Sequence, residues 1–173
     1  MSVDDLRAKI REVPDFPKPG ILFYDITTLL KDPAAYKEAI DLMTAPFVDA
    51  KVDIVVGMES RGFIFSAPMA YLLDAGLVPV RKLGKLPAET VSVEYALEYG
   101  TNTLEVHKDA VKTGQRVLIV DDLLATGGTV NGTSELIHRL GGEIVGLAFL
   151  VELLPLKGRE KLHGQTVHSV IQY

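Results

Sequence analysis

The chain has no cysteine, which excludes disulfides and thiol catalysis. It has no unbroken apolar run near the ~18 residues that a membrane-crossing helix needs. Asp4 and Asp5 stand where a secretion signal would carry positive charge, so a cytoplasmic address is expected. Basic residues are not in excess: 18 Lys and Arg against 23 Asp and Glu give a formal charge of −5. A general electrostatic grip on nucleic acid or on an anionic membrane is therefore not expected, and any phosphate site must be local. His107, His138, His163 and His168 lack metal-ligand spacing. Repeats, low-complexity tracts and interdomain linkers are missing, as are the P-loop pattern GxxxxGK and the dinucleotide pattern GxGxxG.

What remains is an ordinary globular composition. With 47% hydrophobic and 24% charged residues over 173 positions, one domain spanning residues 1–173 with a full core is expected. Val3, Leu6, Ile10 and Val13 fall at helical spacing after Ser2 and predict an N-terminal amphipathic helix. Pro14, Pro17, Pro19 and Gly20 then force an extended segment into residues 21–28, so that about residues 1–30 read as a helix and hood. Asp32 and Pro33 predict the start of a helix that Pro46 ends or kinks.

Residues 54–57 read as a buried strand running into Glu59, Ser60 and Arg61. A buried helix follows over residues 63–73, with Gly76 as its stop. Residues 77–80 predict a third strand that ends in Arg81, Lys82 and Lys85. Residues 86–100 show no clear period and predict a mobile loop, with residues 101–107 returning from it as an antiparallel strand. Further on, residues 144–154 predict a long buried strand carrying Glu152 and Leu153 at its end. A short helix near residues 158–162 and a strand over residues 167–171 complete the chain. Strands alternating with helices give an α/β fold: an open, mostly parallel twisted sheet with helices on both faces.

The chemistry concentrates between these elements, at residues 117–129. Val117 to Val120 is apolar throughout, as a strand buried on both faces requires, and Asp121 and Asp122 are expected to end it. Ala125, Thr126, Gly127, Gly128 and Thr129 then open a helical pattern. Backbone N–H groups at a helix start can meet an anion, the glycines let the chain approach it, and the threonines add hydroxyl donors. The two acids would repel a phosphate if they faced it; they suit a sugar diol or a Mg²⁺ that accompanies a polyphosphate. A βα turn in which Asp122 or Thr126 only caps the helix is the plainer alternative. Ligands of open α/β sheets bind beyond the carboxyl ends of the strands. That rule gathers residues 59–61, 81–85, 121–129 and 152–153 around one cleft, with Arg61, Arg81, Lys82 and Lys85 opposing the acids.

A strand, two acids and Thr-Gly-Gly-Thr resemble the phosphoribosyl pyrophosphate (PRPP) motif of the type I phosphoribosyltransferases. Residues 14–20, 23–27, 59–63, 81–87, 97–100 and 117–129 together resemble the adenine phosphoribosyltransferase family, in that family's order and over about residues 14–163. The resemblance implies transfer of the 5-phosphoribosyl group from PRPP to adenine, giving AMP and pyrophosphate, with Mg²⁺, in a homodimer without nucleic-acid or membrane partners. It implies a 5′-phosphate and ribose site at Asp121, Asp122 and Ala125 to Thr129, with Mg²⁺ held mainly through PRPP near the two acids. Pyrophosphate falls to Glu59, Ser60, Arg61, Arg81, Lys82 and Lys85. Adenine falls to Leu22, Phe23 and Tyr24 of the hood with Leu153 opposite, Phe23 being the aromatic platform. Tyr24 stands where many family members have Arg, at a position the family uses mainly through its backbone.

Ala125 replaces the carboxylate with which 6-oxopurine members bind the purine N7, which favours adenine. The resemblance also makes Glu98 the catalytic residue, with Tyr99 beside it, on a flexible loop within about residues 86–107. Cleavage of the C1–pyrophosphate bond builds positive charge on the ribose, and joining adenine through N9 releases a proton; a carboxylate serves both needs. Two other readings stand beside this one: a PRPP-sensing regulator of the same fold, and a phosphoribosyltransferase for another purine. A regulator would need a DNA-binding domain or a basic face, which this acidic chain does not offer.

Overall fold

The computed structural model describes residues 1–96 and 100–173. The chain forms two compact units, Met1–Leu42 and Met43–Tyr173.

The first unit opens with α1 (Val3–Ala8), capped reciprocally: Asp5 N–H donates to Ser2 Oγ at 3.1 Å, and Ser2 N–H to Asp5 Oδ2 at 2.8 Å. The helix stops short of Val13, contrary to the apolar spacing. Val13 instead lies on β1 (Arg11–Pro14), which pairs antiparallel with β2 (Leu22–Asp25), Val13 opposite Phe23. The cause is local, because a residue that precedes proline is pushed out of the helical region. Two short steps follow, α2 (Thr27–Leu30) and α3 (Pro33–Thr44). Asp32 caps α3 as expected, accepting from the N–H groups of Ala34 and Ala35 at 3.1 Å each.

The second unit takes in Met43 and Thr44 at the end of α3 and then the 3₁₀ turn Ala45–Phe47, where Pro46 prevents the α-helix from continuing. Its frame is a seven-stranded sheet made of β3 (Ile54–Met58), β4 (Gly76–Lys82), β5 (Thr90–Ala96), β6 (Thr101–His107), β7 (Arg116–Leu124), β8 (Glu143–Glu152) and β9 (Val167–Gln172), in the order β5-β6-β4-β3-β7-β8-β9. From β4 to β9 every neighbouring pair is parallel, while β6 runs antiparallel to both β4 and β5. Two helices, α4 (Gly62–Leu72) and α5 (Gly128–Arg139), complete the frame. Consecutive residues of β3 locate them. The Cβ position of Gly57 lies 2.9 Å from Ser66 Cβ on α4, whereas Met58 sulfur accepts a hydrogen bond from Thr133 of α5 at 3.1 Å. Successive strand residues face opposite ways, so α4 and α5 cover opposite faces. Val117 to Val120, enclosed by both layers, are fully buried.

Gly76 is not the stop of the buried helix but the first residue of β4; the turn is made at Asp74, with φ of +52°. The middle of the aperiodic stretch is strand: Val91, Val93 and Tyr95 alternate with Ser92 and Glu94 along β5, a period too short to stand out beside Pro87 and Gly100. Asp121 and Asp122 do not end their strand either. β7 continues through them to Leu124, Asp121 paired with Phe149 of β8.

Candidate active site

β5 runs in the same direction as the parallel strands, so its end at Ala96 and the ends of β3, β4 and β7 share one edge of the sheet. A cleft of about 380 Å³ opens at that edge, lined by Glu59, Ser60, Arg61, Lys82, Asp121, Asp122, Ala125 and Thr129, together with Tyr95, Asn102, Leu104 and Leu123. A smaller hollow of about 70 Å³ is walled by residues 123–130 and Asp121. Sequence reasoning did not find Tyr95 or Asn102, which enter only through the β5–β6 pairing.

The smaller hollow is shaped by Gly127. With φ of +80° it forms the left-handed entry to α5, and Asn131 N–H bonds back to its carbonyl at 3.0 Å. The N–H groups of the first turn, which have no partner within the helix, open at the positive end of its dipole. A Cβ on Gly127 would meet Gly158 O at 2.5 Å, and one on Gly158 would meet Ala125 O at 2.4 Å. The glycine at 127 is thus required by its own backbone and by close packing against Gly158. The Gly158 turn is itself anchored. Buried Glu152 accepts from Arg159 Nε and Nη2 at 2.6 and 2.7 Å, and Gln172 Nε2 donates to it at 3.3 Å. Glu152 therefore serves as a brace rather than as a wall of the cleft. Leu153 follows it, its N–H bonded to Leu124 O at 3.0 Å.

Charge pairing departs from the expected opposition of four cations to two acids. Of these four cations, and among the described residues, Arg61 meets the acids, donating through Nε to Asp122. Arg81 and Lys85 turn to Glu59, whose carboxylate accepts from Arg81 Nε at 3.3 Å, from Lys82 N–H at 3.0 Å and from Lys85 Nζ. Burial would raise this carboxyl, but Lys85, the Lys82 amide and the Arg81 charge outweigh it and hold it at about 2. Asp121 is pushed the other way, well above the usual carboxylate range, by burial and by the charge of Asp122; its Oδ1 accepts from Asp122 N–H at 2.9 Å. Gly62 leaves room for that carboxylate, because a Cβ there would lie 2.9 Å from Asp121 Oδ1 and 3.0 Å from Val120 O.

Leu22, Phe23 and Tyr24 sit on β2 of the N-terminal unit, where the Phe23 ring meets Phe16 edge-on with centroids 5.1 Å apart. Glu98 and Tyr99 lie outside the described residues.

A family model described as phosphoribosyl transferase domain matches residues 25–170. A protein of Acetivibrio thermocellus named adenine phosphoribosyltransferase is 62% identical over 98% of this chain and 99% of its own length. The chain belongs to the adenine phosphoribosyltransferase family. Solved members of this family share the fold throughout: the Thermoanaerobacter pseudethanolicus structure superposes with a TM-score of 0.96 at 52% identity, covering 99% of this chain and 100% of that one. The Saccharomyces cerevisiae adenine phosphoribosyltransferase, in complex with a dideoxy-imino-altritol bisphosphate and adenine, gives 0.93 at 38% identity, over 97% of each chain. Among the described residues, no group of three or more His, Cys, Asp or Glu is placed to hold a metal ion, and no helix is long and apolar enough to cross a membrane.

Proposed function

We propose that this cleft performs the family's reaction with the division of labour set out here. The chain is a purine salvage enzyme that transfers the 5-phosphoribosyl group from PRPP to adenine, giving AMP and pyrophosphate. The observation that carries the reading is the joining of paired carboxylates on β7 to a glycine-capped helix start, with the Glu59–Arg61 turn beside them.

The N–H groups and hydroxyls of Ala125 to Thr129 hold the 5′-phosphate, and Asp121 and Asp122 accept hydrogen bonds from the ribose hydroxyls. Ser60, Arg61, Arg81, Lys82 and Lys85 hold the pyrophosphate, with Glu59 fixing the last three. Arg61 exchanges its bond to Asp122 for one to the leaving group. Among the described residues Asp121 and Asp122 belong to no metal-holding group of three, and such a pair matches Mg²⁺, which binds through one or two carboxylates plus substrate phosphates rather than in an all-protein cage. Bound with PRPP, Mg²⁺ would offset the charge growing on the departing pyrophosphate.

Adenine is sandwiched by Phe23 and Leu153, with Leu22 and Tyr24 offering backbone groups to its Watson–Crick edge. Glu98, with Tyr99 beside it, stabilises positive charge on the ribose and handles the N9 proton. The protein works as a cytoplasmic homodimer, each chain one functional domain over residues 1–173, with no nucleic-acid or membrane partner. The test is AMP formation from adenine, PRPP and Mg²⁺, with hypoxanthine, guanine and xanthine as competing purines. Adenine alone should be turned over; equal use of another purine would contradict the base assignment.

A further inference from the structure

Tyr95 joins the β5–β6 hairpin to the start of α5. A Cβ on Gly128 would stand 3.5 Å from Tyr95 Cδ2, and one on Gly132 would stand 3.6 Å from Cδ1. These two glycines lie one helical turn apart, so they form a flat seat on which the ring rests. Thr129 Oγ1 donates to Tyr95 Oη at 3.4 Å, long for a pair of hydroxyls. The same side chain lines the cleft beside Asp121 and Asp122.

We propose that Tyr95 is a binding residue for the 5′-phosphate, its O–H donating to a phosphate oxygen beside Thr129, so that a phosphate in the cradle fastens the β5–β6 hairpin to α5. The inference rests on the reading that Ala125 to Thr129 hold the 5′-phosphate. A hydroxyl that accepts one hydrogen bond keeps its own proton to give. The long bond to Thr129 is a poor competitor for that oxygen, and a phosphate at the positive end of α5 is a far stronger acceptor than a neutral hydroxyl. The apolar seat fixes the ring, and the oxygen is left beside Thr129, which lines both the cleft and the hollow.

Tyr95→Phe keeps the ring and its seat and removes only the oxygen. Wild type and variant are titrated with ribose 5-phosphate and, separately, with pyrophosphate and Mg²⁺, the two halves of the donor substrate. The variant should bind ribose 5-phosphate about tenfold or more weakly, as loss of a hydrogen bond to a charged group implies. Its affinity for pyrophosphate and its melting temperature should stay unchanged. Amide exchange in residues 93–96 and 101–104 should slow on adding ribose 5-phosphate to wild type and not to the variant. Equal ribose 5-phosphate affinity in both proteins would overturn the assignment. A parallel loss of pyrophosphate binding or a lower melting temperature would also overturn it, making Tyr95 a packing residue. A wild type that does not bind ribose 5-phosphate would instead remove the cradle reading itself, and the inference with it.

Discussion

Gly127 and Gly158 pack main chain against main chain, so closely that a single Cβ on Gly127 would stand 2.5 Å from the Gly158 carbonyl oxygen. The proposed phosphate cradle is therefore backed by the turn at Gly158. Gly158→Ala would bring its own Cβ to 2.4 Å from Ala125 O and push the cradle backbone outward. Overpacking of this kind costs about 1–3 kcal/mol, so the KM for PRPP should rise roughly tenfold while the KM for adenine holds. Steady-state kinetics with each substrate varied in turn checks this, and equal rises in both KM values would point to general unfolding.

Glu59 makes a prediction about pH. Its folded value of about 2 lies below the ordinary 4.5, so its ionised form favours the folded state. That stability is complete above the unfolded value and is lost as pH falls from about 4.5 through about 2. The melting-temperature gap between wild type and Glu59→Gln should be widest above pH 5 and close toward pH 2. A gap independent of pH would mean that the charge of Glu59 does not hold the Arg81, Lys82 and Lys85 cluster.

Phe23 faces Val13 across the β1–β2 pair and is only partly buried. If it stacks on adenine, Phe23→Ala should cost about 1–3 kcal/mol of base binding, roughly tenfold in the adenine KM, with PRPP affinity intact. An unchanged adenine KM would return Phe23 to a packing role against Phe16.

Legibility followed the range of the interactions. Asp32 and Pro33 act within one turn of their own helix, and Val117 to Val120 show their two-sided burial in composition alone, so both could be read directly. The Thr-Gly-Gly-Thr stretch was equally plain, because hydrophobic strand, acids and glycines follow one another without interruption. Val13 misled because helical spacing continued past the point where Pro14 and pairing with Phe23 decide the backbone. The hairpin strand around Tyr95 was hidden by its flanking glycine and proline. The turning of Arg81 and Lys85 toward Glu59, 22 and 26 positions earlier in the chain, depends on β3–β4 pairing, which no local pattern announces. Gly62 and Gly158 matter through backbone contacts that only a folded chain possesses.

Glu98 is assigned the chemical step. Glu98→Ala should lower kcat by ~10²–10⁴, about 3–5 kcal/mol of barrier, and leave PRPP affinity nearly unaltered. Single-turnover rates with saturating substrates would show it; a variant retaining most of its kcat would leave the chemistry to the electrostatics of the remaining site.

The paired acids of β7 are the centre of the proposed site, and titration of PRPP at varied Mg²⁺ tests them most directly. Asn in place of both Asp121 and Asp122 preserves shape while removing the two carboxyl groups that the proposal assigns to the ribose hydroxyls and Mg²⁺. The double variant should bind PRPP at least about tenfold more weakly than wild type and respond little to Mg²⁺. Wild-type affinity with an undiminished Mg²⁺ dependence would contradict the assignment and reduce the two carboxylates to a strand end that caps a helix.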